Sequence, residues 1–170
     1  EKSPETNHSA DSQLMTAEVG KKYRQFMFVQ QLRYLGYDLT ALNERIDIIK
    51  PLEFAYVVHD KDLTEDGELI EPHLHLALRF QNPVSLKRLA ESLETEPQYI
   101  AQWKGAANNL YSYLIHRTET ASDRYQYEVN EVVANFDFPG KIERIEQAIQ
   151  GRKGKRDGTL LNETLDALLE

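Results

Sequence analysis

Cysteine is absent from the 170 residues, which excludes disulfides, thiolate zinc sites and cysteine nucleophiles together. Long apolar runs are missing too. No stretch approaches the roughly 20 residues of a membrane span, and the N-terminal EKSPETNHSADSQ holds no signal-like apolar segment. An excess of basic charge is the third absence. Lys and Arg number 20 against 28 Asp and Glu, for a net charge of −8, whereas a protein that coats nucleic acid non-specifically is basic throughout. Any function on nucleic acid must therefore come from a local site. What the chain does have is 41% hydrophobic residues, enough for an ordinary core, so wholesale disorder is excluded. Its length suits one domain, or one domain and the start of another.

Residues 1–20 are polar and aperiodic and read as a flexible arm. From Tyr23 the run YRQFMFVQ, rich in aromatic and β-branched residues, predicts a strand. Asp38 is placed to N-cap a helix through Ala41, Leu42, Arg45, Ile46 and Ile49 that Pro51 stops. Glu53–Val58 predicts a second strand running straight into His59. The polar turn DLTEDGELIE joins it as a hairpin to a third strand, HLHLALRF. Pro83 is expected to open a helix carrying Leu86, Leu89, Ala90 and Leu93, with Lys87 and Arg88 outward. A short strand at Tyr99–Trp103 and a helix from Asn108 to His116 follow.

The order β-α-β-β-α-β-α is the split βαβ pattern, so the expected class is α+β. An antiparallel sheet of ferredoxin-like or RRM-like kind would carry helices on one face and leave the other free for a ligand. EVVANFDF and Pro139–Gln150 read as a return segment and closing helix, completing a domain over residues 21–150. GRKGKRDG, residues 151–158, holds three Gly and four basic residues and reads as a linker. Residues 159–170 carry a leucine stripe that stops in mid-pattern, as expected at the start of a C-terminal helical module of a longer protein.

Two constellations carry chemistry. His73 and His75 are i, i+2 on a strand, so both project from one face, about 7 Å apart along the chain, while Leu74 and Leu76 point into the core. H-x-H on a strand is often no more than an exposed polar face. Here His59 ends the neighbouring strand, and Asp62, three residues on, can add a carboxylate; Asp60 and Asp66 are rivals better suited to the solvated turn. Three imidazoles and one carboxylate favour Mn²⁺, Fe²⁺, Co²⁺ or Zn²⁺ over Ca²⁺, with Mg²⁺ tolerated if a substrate phosphate adds oxygens. The second constellation is NNLYSYLIH, residues 108–116. On a helix Tyr113 and His116 share a face, whereas Tyr111 lies about 200° round from Tyr113, so one tyrosine alone should face the cleft. Tyrosine on an amphipathic helix is otherwise an ordinary core residue.

H-D-K-D at His59–Asp62, P-H-L-H-L, N-P-V, then Y-S-Y-L-I-H, a segment with Tyr125 and Tyr127, and N-F-D at Asn135–Asp137 occur in that order. The arrangement, spanning roughly residues 23–138, resembles the HUH endonucleases and, more narrowly, the RepB-type rolling-circle replication initiators of small plasmids of Gram-positive bacteria. The resemblance implies that His73, His75, His59 and Asp62 hold a divalent metal, Mn²⁺ or Mg²⁺, that Tyr113 is the nucleophile, and that Tyr111 takes the other tyrosine position of the motif. It implies nicking of one strand at the double-strand origin, a tyrosine joined to the 5′ end, a 3′-OH freed for a host polymerase, and later strand transfer. The implied partners are plasmid origin DNA, as a single-stranded nick site and duplex repeats, host replication proteins, and further copies of the chain through its C-terminal region. The implied location is the bacterial cytoplasm, away from membranes.

Between Pro72 and Arg117 the basic residues Arg79, Lys87, Arg88, Lys104 and Arg117 outnumber Glu91, Glu94 and Glu96, and are the candidate phosphate contacts. Other readings keep the chemistry and change the biology, as in a relaxase or transposase of the HUH class. A non-catalytic RRM-like binder would place aromatics on the central strands where this chain has histidines. A metal hydrolase acting on other substrates would have no use for Tyr113.

Overall fold

The computed structural model describes the backbone of residues 14–16 and 20–169 and the side chains of residues 20–156. The chain divides into two compact units, residues 1–136 and 137–170. In the first, β1 (Leu14–Thr16), β2 (Lys22–Gln31), α1 (Leu32–Leu35), α2 (Leu39–Ile49), β3 (Glu53–His59), β4 (His73–Ser85), α3 (Leu86–Ser92), β5 (Ile100–Trp103), α4 (Ala107–Leu114) and β6 (Val133–Ala134) follow in sequence. The six strands form one sheet in the order β1-β5-β2-β4-β3-β6, with every pair antiparallel. Its central strands, β5-β2-β4-β3, have β4 between β2 and β3, which is the split βαβ arrangement expected of an α+β fold of this class.

Period-2 alternation sorts the strand side chains. Phe26, Phe28, Tyr56, Leu74, Leu76, Leu78, Phe80 and Ile100 turn to one face and meet Leu35, Leu42, Ile46, Leu86, Leu89, Ala90 and Leu93 from α1, α2 and α3 in the main core. Leu42 and Ile46, one turn apart and almost wholly buried, each contribute on the order of 2 kcal/mol by burial. Asp38 Oδ1 accepts from the Ala41 amide at 2.8 Å, giving α2 the expected N-cap. Lys50, left-handed at φ 53°, closes its C-terminus through a bond from its N–H to the Ile46 carbonyl.

Several local expectations change. Pro83 lies inside β4, where β2 re-pairs after a register shift between Tyr23 and Gln25, as Tyr23↔Val84 and Lys22↔Ser85. Proline is tolerated at such an irregularity because no ladder bond is asked of it. Ser85, which accepts from the Arg88 amide at 3.2 Å, opens α3 instead. The fourth helix ends at Leu114, so His116 lies beyond it, left-handed at φ 61°. The face opposite α2 and α3 is not left free: the Leu114 carbonyl meets His59 and the Tyr111 hydroxyl meets Glu53, which lays α4 across β3 and β4 on that side.

The expected arm over residues 1–20 falls largely outside the described residues; within it, Leu14–Thr16 pairs along β5. In the second unit α5 runs unbroken over Phe138–Leu169. Residues 151–158 are thus helical where glycine content predicts a break. Each glycine costs a helix about 1 kcal/mol, and the intervening Arg and Lys are good helix formers that offset part of it. The Asp137 carboxylate accepts from the Gly140 amide at 3.1 Å and caps the start of α5. No described helix is long and apolar enough to cross a membrane.

Candidate metal centre and nucleophile

The register of the β3–β4 hairpin builds the site. His59 lies opposite His73 and Val57 opposite His75, so three imidazoles share the face turned away from the main core. The ring of His59 stacks on that of His75 at 3.8 Å, and those of His73 and His75 lie 4.8 Å apart. The loop after β3 folds back through a Leu63↔Leu69 bridge and an Ile70 N–H to Asp62 carbonyl bond of 2.9 Å. That fold places the Asp62 carboxylate, half-buried, beneath the histidines, while Asp60 and Asp66 stay exposed.

Hydrogen bonds to backbone carbonyls set the tautomers. Nε2–H of His59 donates to the Leu114 carbonyl at 2.7 Å, leaving Nδ1 with a bare lone pair. Nδ1–H of His73 donates to the Glu71 carbonyl at 2.9 Å, leaving Nε2 bare. Both bare nitrogens face Asp62 Oδ2, each at 3.3 Å. His59 Nδ1 is close to the carboxylate without the alignment of a hydrogen bond, and both nitrogens of buried His75 have no hydrogen-bond partner. Lone pairs turned on one another in a buried place are repulsive unless a proton or a cation lies among them.

Electrostatics agree with that reading. Burial would raise the Asp62 pKa, but contacts with His59, His73 and Tyr127 outweigh it and hold the carboxyl well below its usual range. Burial, joined by the like-signed His59, His73 and His116, pushes His75 well down, so it is a neutral imidazole. For His73, burial lowers and the Asp62 and Glu71 contacts raise, with a net upward shift. A neutral His75 with both nitrogens unpartnered, beside an ionised carboxylate, suits a divalent cation, which would displace the proton that the upward shift of His73 favours. His59, His73 and His75 offer nitrogens within 4.8 Å of one another, as do His59 and His116 with an Asp62 oxygen. The expected ligand set therefore fits a metal.

The two tyrosines of α4 part company. Tyr111 is completely buried; its hydroxyl donates to Glu53 at the far end of β3 from His59, and its ring packs on Phe136. Burial and the Glu53 carboxylate hold its phenol strongly protonated. Tyr113 immediately precedes Leu114, whose carbonyl fixes His59, and its ring lies 5.5 Å from that of Trp103.

Residues 18–139 match the family model for the plasmid replication protein, origin binding domain. The chain belongs to that family. It is also 30% identical over 118 residues to a replication protein of Onion yellows phytoplasma (strain OY-M), a match covering 63% of this chain and 30% of the relative. The chain thus spans about a third of that relative's length. The rolling-circle initiator resemblance is in this way borne out at the level of the family.

Two residues of this origin-binding domain to which the sequence assigned no role join the centre. The Tyr127 hydroxyl donates to Asp62 Oδ1 at 2.7 Å and accepts from the Lys61 amide at 3.0 Å, while its ring stacks on His59 at 4.3 Å. His116 is buried and donates from Nδ1 to the Tyr125 carbonyl at 2.8 Å; burial and His59 lower its pKa to about 4. The only sequence signal for either was its place in the motif order. Asn135 of N-F-D ties down the start of β3, accepting from the Phe54 amide at 2.8 Å.

The candidate phosphate contacts scatter. Arg79 is 3.5 Å from Glu53, and Lys87 and Arg88 are exposed on α3, on the face away from the histidines. Lys104 is exposed between β5 and α4, and Arg117 follows His116 directly.

Proposed function

We propose that this domain nicks and rejoins one strand of plasmid origin DNA through a covalent tyrosine intermediate and so initiates rolling-circle replication. The observation that carries the reading is the convergence of bare imidazole nitrogens from His59 and His73 on the ionised Asp62, beside unpartnered His75 and under the helix that bears Tyr113. His59, Asp62, His73 and His75 would hold Mn²⁺ or Mg²⁺, which supplies charge withdrawal from a non-bridging phosphate oxygen. Imidazole ligands favour Mn²⁺ of the two.

The remaining work belongs to the chain. Backbone carbonyls of Leu114 and Glu71 lock the two imidazoles, and the Tyr127 hydroxyl occupies Asp62 Oδ1 so that Oδ2 faces the histidines. In this reading Tyr113 Oη attacks the phosphorus and forms the phosphotyrosyl bond as the bond to the 3′ oxygen breaks. The phenol gives up a proton and the 3′ oxygen gains one. Because one ester replaces another, rejoining needs no nucleotide cofactor. Tyr111 is unsuited to the task, being engaged by Glu53 at the opposite end of β3. Lys104 and Arg117, next to the two ends of α4, are the phosphate contacts of this mechanism; Arg79, Lys87 and Arg88 are not needed for it. Assembly through the C-terminal region, recruitment of host replication proteins and a bacterial cytoplasmic setting complete the proposal.

The test mixes protein, Mn²⁺ and a labelled single-stranded oligonucleotide spanning the plasmid origin. A covalent adduct is expected, abolished by Tyr113→Phe, by His73→Ala with His75→Ala, and by EDTA. An adduct that survives Tyr113→Phe but not Tyr111→Phe overturns the assignment. Full yield under chelation overturns the metal.

A further inference from the structure

The positive charge that DNA requires is scarce in the chain as a whole, at net −8, yet three cations line one groove. Where β2 and β5 lie side by side, Lys22, Arg24, Gln25, Gln102, Trp103 and Lys104 line a groove of about 360 Å³. Three of its side chains are cationic and none is acidic, in a chain where acids outnumber bases. All three cations are exposed. The groove is a built feature: the Gln25 amide donates to the Trp103 and Gly105 carbonyls at 3.4 and 3.0 Å, and Arg24 Nε donates to the Gln81 carbonyl at 3.3 Å. The indole N–H of Trp103 donates to the Ala106 carbonyl at 3.1 Å, which fixes the wall just before α4 begins. Trp103 is also the residue whose ring lies against that of Tyr113.

The geometry points to a binding site for the sugar-phosphate backbone of unpaired DNA next to the scissile phosphate, with Lys22, Arg24 and Lys104 as its phosphate contacts. The inference rests on the nicking reading and adds to it where the substrate strand lies. The residue after Tyr113, Leu114, holds His59 through its carbonyl, while the ring of Tyr113 itself leans on Trp103. A strand held in the groove therefore runs past Trp103, the residue against which the Tyr113 ring lies. The volume is at the small end of ligand cavities, which suits a few atoms of a single backbone and not a duplex.

Fluorescence anisotropy of a labelled oligothymidylate, titrated at several salt concentrations, tests the site. Removing Lys22, Arg24 and Lys104 together by alanine should weaken binding at least tenfold at low salt and reduce the slope of log affinity against log salt by about 2, since each single-strand phosphate contact contributes roughly 0.7. Lys104→Glu alone, at an exposed position, should weaken binding in the same direction and covers the case of a poorly folded triple variant. An unchanged slope in both overturns the proposal. So does an equal loss on replacing Lys87 and Arg88, which would report overall charge, or equal competition by a duplex of the same length. The nicking reading fails separately: if wild-type protein forms no adduct while the groove variants still lose oligothymidylate, the groove stands without it.

Discussion

Asp62 is the residue on which the centre depends. It meets His59, His73, His116 and Tyr127, and it remains ionised because the contacts with His59, His73 and Tyr127 outweigh its burial. Tyr127 is the partner that can be changed most cleanly. Phenylalanine there keeps the ring stacked on His59 and removes the hydroxyl that holds Oδ1 and receives the Lys61 amide. Calorimetric titration of Tyr127→Phe with Mn²⁺ should show affinity reduced roughly tenfold or more, as for other residues that orient metal ligands, with the far-ultraviolet spectrum unchanged. Wild-type affinity in this variant would mean that Asp62 needs no such support. His116 is a different case. Its left-handed backbone is uncommon for histidine, and it is sustained by the bonds from His116 N to the Tyr113 carbonyl and from Arg117 N to the Ser112 carbonyl, which close the end of α4.

Among the elements, α4 separates the two tyrosines, giving the hydroxyl of Tyr111 to Glu53 at the start of β3 and turning the ring of Tyr113 toward Trp103 of β5. Its N-terminal neighbour Ala106 is tied to Trp103 and its last residue to His59, so the helix is pinned at both ends across the histidine-bearing face. The second helix shows how cheaply an end is secured: Asp38→Ala should lower stability by about 1 kcal/mol in a denaturant titration, the usual value for a lost N-cap. For α5 the question is its central glycines. A Cβ at Gly151 or Gly154 would meet nothing within 4 Å. If the helix runs through them, alanine at both should raise helical content and thermal stability, by up to about 1 kcal/mol for each. A fall in helicity, or none of this gain, would return the segment to a linker.

At the scale of the whole molecule, the centre imposes a dependence on pH. His75 and His116 have lowered pKa values in the native state, the latter about 4 against an ordinary 6.5. Between those limits the unfolded chain binds more protons, so stability is present above about pH 6.5 and is lost as pH falls toward 4. His116 alone accounts for on the order of 3 kcal/mol. His73, shifted up, acts the other way, with a contribution that is present at low pH and lost as pH rises through its native value. Two lowered imidazoles against one raised, with the lowered Asp62 adding its own loss as pH falls below about 4, leave a net loss toward acid. Thermal unfolding in chelator should show it. Mn²⁺ at a hundredfold its dissociation constant should add about 2.7 kcal/mol at neutral pH, and less near pH 5, where protons compete for the same nitrogens. A melting temperature indifferent to Mn²⁺ would count against the centre.

Much of this was legible in the order of residues because the physics involved is local. Alternation along a strand puts His73 and His75 on one face whatever surrounds them, and Asp38 caps α2 through a bond spanning three residues. The polar loop over residues 60–72 joins adjacent antiparallel strands and so brings His59 back to His73. The rest depended on groups distant in the chain. Tyr111 and Tyr113 are alike until Glu53 takes the hydroxyl of one and Trp103 the ring of the other. The face on which α4 lies is set by burying Leu110, Tyr111 and Leu114, and Pro83 remains in a strand because β2 offers a partner there. Tyr127 enters the centre from 65 positions beyond Asp62. Propensity and periodicity act over a few residues, whereas the choice among equally apolar faces and equally able phenols is made by packing, and packing is the property of the folded chain.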